Sequence, residues 1–192
     1  MNKDEFLQRF SFAQTIQPVQ EFSFSGTTHP AAVLIALHET QYGLEVILTK
    51  RAAHLRHHAG QISFPGGKAE PDDDSLIHTA LRETQEEIGL ALSTDTVIGS
   101  LPQFTTISGF AVTPVIALTD TFTDFAIDHN EVDTVFSVPL HHILNRDNHL
   151  SHSVQRYGQD YPIYFIPWQN TYIWGATAGM LINLAKVLGL KD

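Results

Sequence analysis

Apolar positions along this chain follow a short-strand pattern before residue 75 and a helical one just after it. Residues 31–37 (AAVLIAL) and 44–49 (LEVILT) are apolar and β-branched runs separated by the turn-like HETQYG, a pattern that predicts a hairpin. Residues 61–64 add a further brief strand. From Ser75, Leu76, Ile77, Ala80, Leu81, Thr84 and Ile88 fall on a single helical stripe, with Asp74 as the expected N-cap and Gly89 as the stop. Further strands are expected at 97–101, 110–118, 132–138, 153–157 and 161–166, and a short helix at 140–144 follows Pro139. A terminal helix over 175–188 places Ala176, Met180, Leu184 and Val187 on one face, suited to packing on a sheet. Residues 4–10 suit a short amphipathic helix, followed by a polar connector to residue 30 with an extended alternation at Phe22 and Phe24. The sum is an α/β chain, a mixed sheet with helices on both faces, with residues 1–30 as a helix and connector attached to the domain formed by 31–192.

Length and composition narrow this without changing it. A chain of 192 residues suits one domain, and 43% hydrophobic against 17% charged residues fits neither a disordered chain nor a charge-laced coiled coil. The balance of 11 Lys+Arg against 21 Asp+Glu, a formal charge of -10, disfavours a broad nucleic-acid or anionic-membrane footprint. With no cysteine, thiolate catalysis, disulfides and cysteine-ligated metals are excluded. The N-terminus has acids early and no apolar leader core, and no run of 18 apolar residues occurs. A soluble, untargeted, cytoplasmic protein is the expectation.

Candidate chemistry gathers in FPGGKAEPDDDSLIHTALRETQEEIGL, from Phe64 to Leu90. On a helix Glu83 lies three residues from Glu86 and four from Glu87, and each like-charge pair at that spacing costs roughly 0.2–0.5 kcal/mol. A hard divalent cation reverses the sign, because Mg²⁺ prefers carboxylate oxygen and keeps waters that substrate phosphates replace. Arg82, four residues before Glu86, is placed to orient that carboxylate. A solvated acidic face would account for RETQEE alone, and a plain turn for Gly66-Gly67 alone. Joined, they make a loop free of Cβ atoms leading into a carboxylate-bearing helix.

This combination resembles the Nudix box: Gly, five residues, Glu, seven residues, then Arg-Glu, an apolar residue, any residue, Glu-Glu, any residue, Gly and an apolar residue. Arg82 to Leu90 match its second half, with Thr84 in an apolar position. Gly67 and Arg82 are 15 positions apart, where the pattern has 14, so the loop acid is Asp73 counted forward or Asp74 counted backward. The resemblance implies an α/β/α sandwich with a mixed β-sheet, and hydrolysis of diphosphates linked to another moiety with Mg²⁺ or Mn²⁺. It makes Glu83 and Glu87 the first metal ligands. Glu86 is a further ligand or the water-activating base, and Glu131, in HNEVD before a strand, is the rival base.

Upstream, no acid occurs between Glu45 and Glu70, while Lys50, Arg51, Arg56 and Lys68 supply four of the 11 Lys+Arg. Such a basic patch on an acidic chain suits several phosphates, although basic residues flanking a strand are also commonly just solvated. A zinc site on His54, His57 and His58 would need further ligands that the sequence does not place nearby. Leu48-Thr49-Lys50-Arg51, Leu55-Arg56-His57-His58-Ala59-Gly60 and Phe64-Pro65-Gly66-Gly67 resemble the signature of the coenzyme A diphosphatase branch of the Nudix superfamily. SGFAVTPVIAL from Ser108 and IWGATAGML from Ile173 are similar to the same branch. The implied reaction cleaves coenzyme A or its derivatives into 3',5'-ADP and 4'-phosphopantetheine or an acylated form. Arg51, Arg56, Gly66 and Gly67 are the implied substrate-binding residues, and a homodimer is a compatible assembly. ADP-ribose or another nucleoside diphosphate derivative is the alternative substrate, and a non-catalytic nucleotide-binding module the alternative of another class.

Overall fold

A computed structural model of the protein describes residues 1–13, 26–120, 122, 124–156 and 159–189. Strand β1 (His29–Thr40) turns through Gln41 and Tyr42 into β2 (Gly43–Arg51), so the expected hairpin forms, antiparallel with Thr40 opposite Gly43. The pairs β3 (Ile62–Ser63) with β2 and β4 (Gly66–Lys68) with β1 are antiparallel too. A connection containing α2 (Leu76–Ile88) carries the chain past β5 (Val97–Ser100) and β6 (Phe104–Thr105) to β7 (Phe110–Thr119). There β7 runs parallel to β1, in step from His29 opposite Phe110 to His38 opposite Thr119. A parallel pair cannot be closed by a tight turn and needs such a crossover. Strand β8 (Val132–Pro139) returns antiparallel to β2 and leads into α3 (Leu140–Leu144).

Because β1 and β7 are covered on both faces, they read as nearly continuous apolar runs. Ala32, Leu34 and Ala36 pack against Ala80 and Ile88 of α2, whereas Ile35 and Leu37 face the opposite layer. That layer is built from α1 (Lys3–Ala13), α3 and α4 (Ala176–Val187), which bury Phe6, Phe10, Leu140, Ile143, Leu181 and Leu184. The result is the expected α/β architecture with a mixed sheet and helices on both faces.

Two expectations are corrected, and three short strands are new. Ser75, not Asp74, caps α2: its Oγ accepts from the His78 amide at 3.2 Å, while the Asp74 carboxylate reaches the His78 ring at 3.3 Å. The late strands do not join the main sheet. β9 (Leu150–Arg156), β10 (Gln159–Trp168) and β11 (Thr171–Trp174) pair with each other as a separate antiparallel sheet, since short turns favour neighbours in sequence. Finally, β4, β6 and β11 were not foreseen, being too short to display a period. Phe22, Phe24 and Tyr157 lie outside the described residues. Among the described residues no helix is long and apolar enough to cross a membrane.

Candidate active site

Strand β4 sits flat against α2, and two glycines make that approach feasible. Gly66 has φ 149°, and a Cβ there would lie 2.6 Å from the Val33 Cα on the neighbouring strand. At Gly67 a Cβ would stand 2.5 Å from Glu83 Oε1, so the Glu83 carboxyl fills the space a side chain would take. One turn further along α2, Glu87 is 4% exposed, and its Oε2 accepts the Gly66 amide at 3.3 Å. Thus Glu83 and Glu87 both lie against the glycine strand. Glu86, 60% exposed on its side chain, leans away from it. The helix holds this arrangement because Ala80, Leu81, Thr84 and Ile88 bury its other side and Gly89 ends it at φ 72°. Thr84 replaces an apolar residue without leaving a buried hydroxyl unpaired, since its Oγ1 donates to the Ala80 carbonyl at 2.6 Å.

Arg82 organises the acidic side chains. Its Nε and Nη2 donate to Asp73 Oδ1 and Oδ2 at 2.9 and 3.1 Å, and its Nη1 donates to Glu83 at 3.1 Å and Glu86 at 2.9 Å. A bidentate guanidinium fork suits a carboxylate in this way. Nη2 also donates to the Lys68 carbonyl, tying the helix to the end of β4. The geometry therefore selects Asp73 over Asp74 as the loop acid, since Asp74 is exposed and points to His78. Hydrogen bonds from Arg82 hold the Asp73 carboxyl well below the usual carboxylate range, and Asp73 in turn raises Arg82. Burial raises Glu83, against the pull of Arg82. It also pushes Glu87 up to about 8, against the Gly66 amide and Arg51.

The remaining predicted residues surround this pair unevenly. Arg51 Nη1 stands 3.8 Å from Glu87 Oε1, and the Arg51 Nε is buried without a hydrogen-bond partner among the described residues. Glu131 belongs to a loop bound on both sides: the Asp128 amide donates to the Glu87 carbonyl, and the Ala52 amide donates to the Glu131 carbonyl. Its exposed carboxylate is close enough to help raise both Glu83 and Glu87. Arg56 lies exposed in the loop between β2 and β3, with no hydrogen bond or ion pair to the described residues. The other cations of the basic stretch are engaged. Lys50 pairs with Asp133 at 3.4 Å, and Lys68 lies 5.5 Å over the Phe110 ring. His54 turns to the Asn130 carbonyl and His58 to Gln61 Oε1, so the three imidazoles form no common site.

Hard carboxylate oxygens raised by burial and mutual repulsion suit Mg²⁺ or Mn²⁺, which would relieve both. Glu83 and Glu87 face the glycine cradle together, and Glu86 lies within one turn. In the arrangement described, Arg82 holds Glu86 and Glu83, and no three acidic or imidazole groups among the described residues are gathered into a cage.

A cleft of about 950 Å³ opens from this site, and sequence reasoning did not foresee it. It begins at Gly66 and Arg51, both in contact with Glu87, and runs under β6 and the following loop to β10, β11 and the start of α4. The stretch IWGATAGML supplies Trp174 and Met180 to its wall. Its walls come from segments far apart in sequence, and no local period announces such a cavity.

Comparison with known proteins agrees with the geometry. Residues 27–157 match the NUDIX domain family. The chain is 40% identical over 190 residues to a Yersinia pestis (strain Pestoides F) protein described as an uncharacterized Nudix hydrolase NudL, covering 97% of this chain and 94% of that one. A Yersinia pseudotuberculosis (serotype O:1b) protein of the same description matches equally. Among solved structures, a MutT/nudix family protein from Enterococcus faecalis superposes with a TM-score of 0.57 at 15% identity, covering 100% of this chain and 76% of that one. A NUDIX hydrolase from Alicyclobacillus acidocaldarius gives 0.51 at 21% identity, covering 64% and 84%. At these identities the structures speak for the fold alone, whereas the family match spans β4, α2 and the basic loop. With its carboxylate helix seated on Gly66 and Gly67, this chain belongs to the Nudix family of hydrolases.

Proposed function

We propose that the enzyme hydrolyses the diphosphate bond of coenzyme A or its derivatives, giving 3',5'-ADP and 4'-phosphopantetheine or acyl-phosphopantetheine. The observation that carries the reading is the meeting of two sequence signatures. Arg51 of the upstream signature reaches Glu87 of the carboxylate helix, and Arg56 of the same signature, on the adjoining loop, makes no hydrogen bond or ion pair to the described residues. An exposed cation with no partner among the described residues, on the loop that follows Arg51, suits an anionic substrate with more phosphate than a simple diphosphate.

Glu83 and Glu87 would hold the divalent cation, with Glu86 beside them. When bound, Mg²⁺ or Mn²⁺ neutralises charge on the diphosphate oxygens and makes a water more acidic. The chain's own groups do the rest. Gly66 and Gly67 keep the approach to the carboxylates free of side chains. Arg51 offers its guanidinium to a phosphate oxygen, and Arg56 to a more distant phosphate. The attacking water adds to one phosphorus as the bridging P–O bond breaks, and a carboxylate takes the water's proton. Glu131 suits this step because its carboxylate makes no hydrogen bond to the described residues, whereas Glu86 is held by Arg82.

The test is to incubate the protein and Mg²⁺ with coenzyme A, ADP-ribose and NADH and to identify the products. Release of 3',5'-ADP and phosphopantetheine is expected. Inert coenzyme A with turnover of ADP-ribose would favour the alternative substrate, and no turnover of any would favour a nucleotide-binding module.

A further inference from the structure

The cleft that opens from Gly66 is asymmetric in charge. Its guanidinium, from Arg51, and its imidazole, from His58, both lie on the wall formed by β2 and the loop after it. Beyond them the lining contains no Lys, Arg, Asp or Glu among the described residues. The apolar lining comes from β6 and the loop after it, from β10 and from α4, through Phe104, Ile107, Ile163, Tyr164 and Met180, with Gln103 and Asn183 as neutral polar groups. A nucleotide carrying an additional phosphate would place a charge there with no Lys or Arg among the described lining residues to meet it, and desolvating an unpaired charge is strongly unfavourable. This uncharged lining is instead suited to an uncharged, flexible group: apolar surface for hydrocarbon, and amides of Gln103 and Asn183 for amide hydrogen bonds. Its volume of about 950 Å³ stands near the upper end of the roughly 300–1,000 Å³ of small-molecule sites, so a long chain can be accommodated.

Resting on the coenzyme A reading, we propose that this cleft binds the non-nucleotide half of the substrate, an amide-containing thiol or thioester arm with an apolar acyl end, and that Met180 and Phe104 set its reach. The nucleotide and its extra phosphate then lie on the opposite side, by the loop bearing Arg56. Met180 is 4% exposed and lines the cleft from α4, where an unbranched thioether adapts to different chains. The neighbouring Gly179 keeps Phe104 in place, since a Cβ there would come within 2.8 Å of the Phe104 ring and push it.

The experiment titrates the whole protein, with Mg²⁺ present, by calorimetry with S-octanoyl-pantetheine, a probe that carries no phosphate. Saturable binding is expected, and Met180→Trp should weaken it about tenfold or more, the scale on which apolar pockets discriminate chain length. Ile107→Asp, at a cleft residue that is 45% exposed and so tolerant of substitution, should weaken it similarly if Met180→Trp fails to fold. In hydrolysis, each variant should lower the ratio of kcat/KM for octanoyl-coenzyme A over coenzyme A. No binding of the probe, or binding that neither variant alters, overturns the assignment, as does weakening of 3',5'-ADP binding by Met180→Trp with the probe unaffected. If the probe binds as expected but coenzyme A is inert, the cleft assignment stands and the coenzyme A reading fails. If coenzyme A is cleaved and the probe does not bind, the reverse holds.

Discussion

Gly67 and Glu83 occupy one space: a Cβ on Gly67 would stand 2.5 Å from Glu83 Oε1, so the carboxyl rests where any other residue would put its side chain. Gly66, the adjacent residue, is crowded by backbone instead, with a Cβ 2.6 Å from the Val33 Cα and φ at 149°. The two glycines should therefore fail differently. Gly67→Ala displaces the carboxyl of Glu83, a proposed metal ligand, and should lower kcat by on the order of 10²-fold, the effect of misplacing a group at the reacting centre by about 1 Å, with little change in Tm. Gly66→Ala meets the backbone of Ala32 and Val33, which cannot swing aside as a side chain can, and should destabilise the fold by roughly 1–3 kcal/mol. Thermal unfolding and steady-state kinetics on both variants check this.

Removing either carboxylate at the cradle should abolish most turnover without unfolding the helix. Glu87 is 4% exposed and burial disfavours its charged form, so a neutral Gln is compatible with the site and Glu87→Gln should be at least as stable as the parent. Glu83→Gln should likewise keep its fold. Near-normal activity in either variant at saturating Mg²⁺ would remove the metal assignment.

Chelation should stop hydrolysis, and Mg²⁺ or Mn²⁺ should restore it. Zinc on His54, His57 and His58 is not expected to substitute, because His54 and His58 turn to Asn130 and Gln61. Product formation after EDTA and metal re-addition is the measurement, and full activity in metal-free protein would count against both sites.

Arg56 is exposed and makes no hydrogen bond or ion pair to the described residues, so Arg56→Ala should leave Tm unchanged. If its guanidinium holds a substrate phosphate through bonds of roughly 1.5–3 kcal/mol each, kcat/KM for coenzyme A should fall about tenfold or more. Lysine should rescue only partly, lacking the bidentate fork. The loss should be smaller for a substrate without the 3'-phosphate. Equal losses would assign Arg56 to the diphosphate, and none would return it to a solvated surface.

The Asp73 carboxyl, held below its ordinary range by Arg82, gives the fold an acid limb. A carboxylate whose folded pKa is depressed contributes stability that is fully present above its unfolded value of about 3.9 and is lost as pH falls through the folded value. Asp73→Asn should therefore lower stability at neutral pH and flatten its decline below about pH 4. Denaturant unfolding across that range tests the sign, and an unchanged acid slope would show that Arg82 does not hold Asp73 in solution.

Local order was legible in the sequence because it depends on neighbours in the chain. The hairpin, the amphipathic stripe of α2, its end at Gly89 and the terminal helix all follow from period and punctuation over a few residues. The crowding of Glu83, Glu86 and Glu87 and the acid-free basic stretch were visible in the same way. The tertiary structure decided what depends on distant partners. It chose Asp73 over Asp74 through Arg82, and it seated Glu83 and Glu87 on β4 while leaving Glu86 outside. It brought the Glu131 loop against α2 through the Asp128 amide, separated β9 to β11 from the main sheet, and opened the cleft between β6, β10 and α4. Spacing constrains a side chain only within a turn or a strand pair, whereas a carboxylate's partners and a cavity's walls are set by chain crossings that periodicity does not encode.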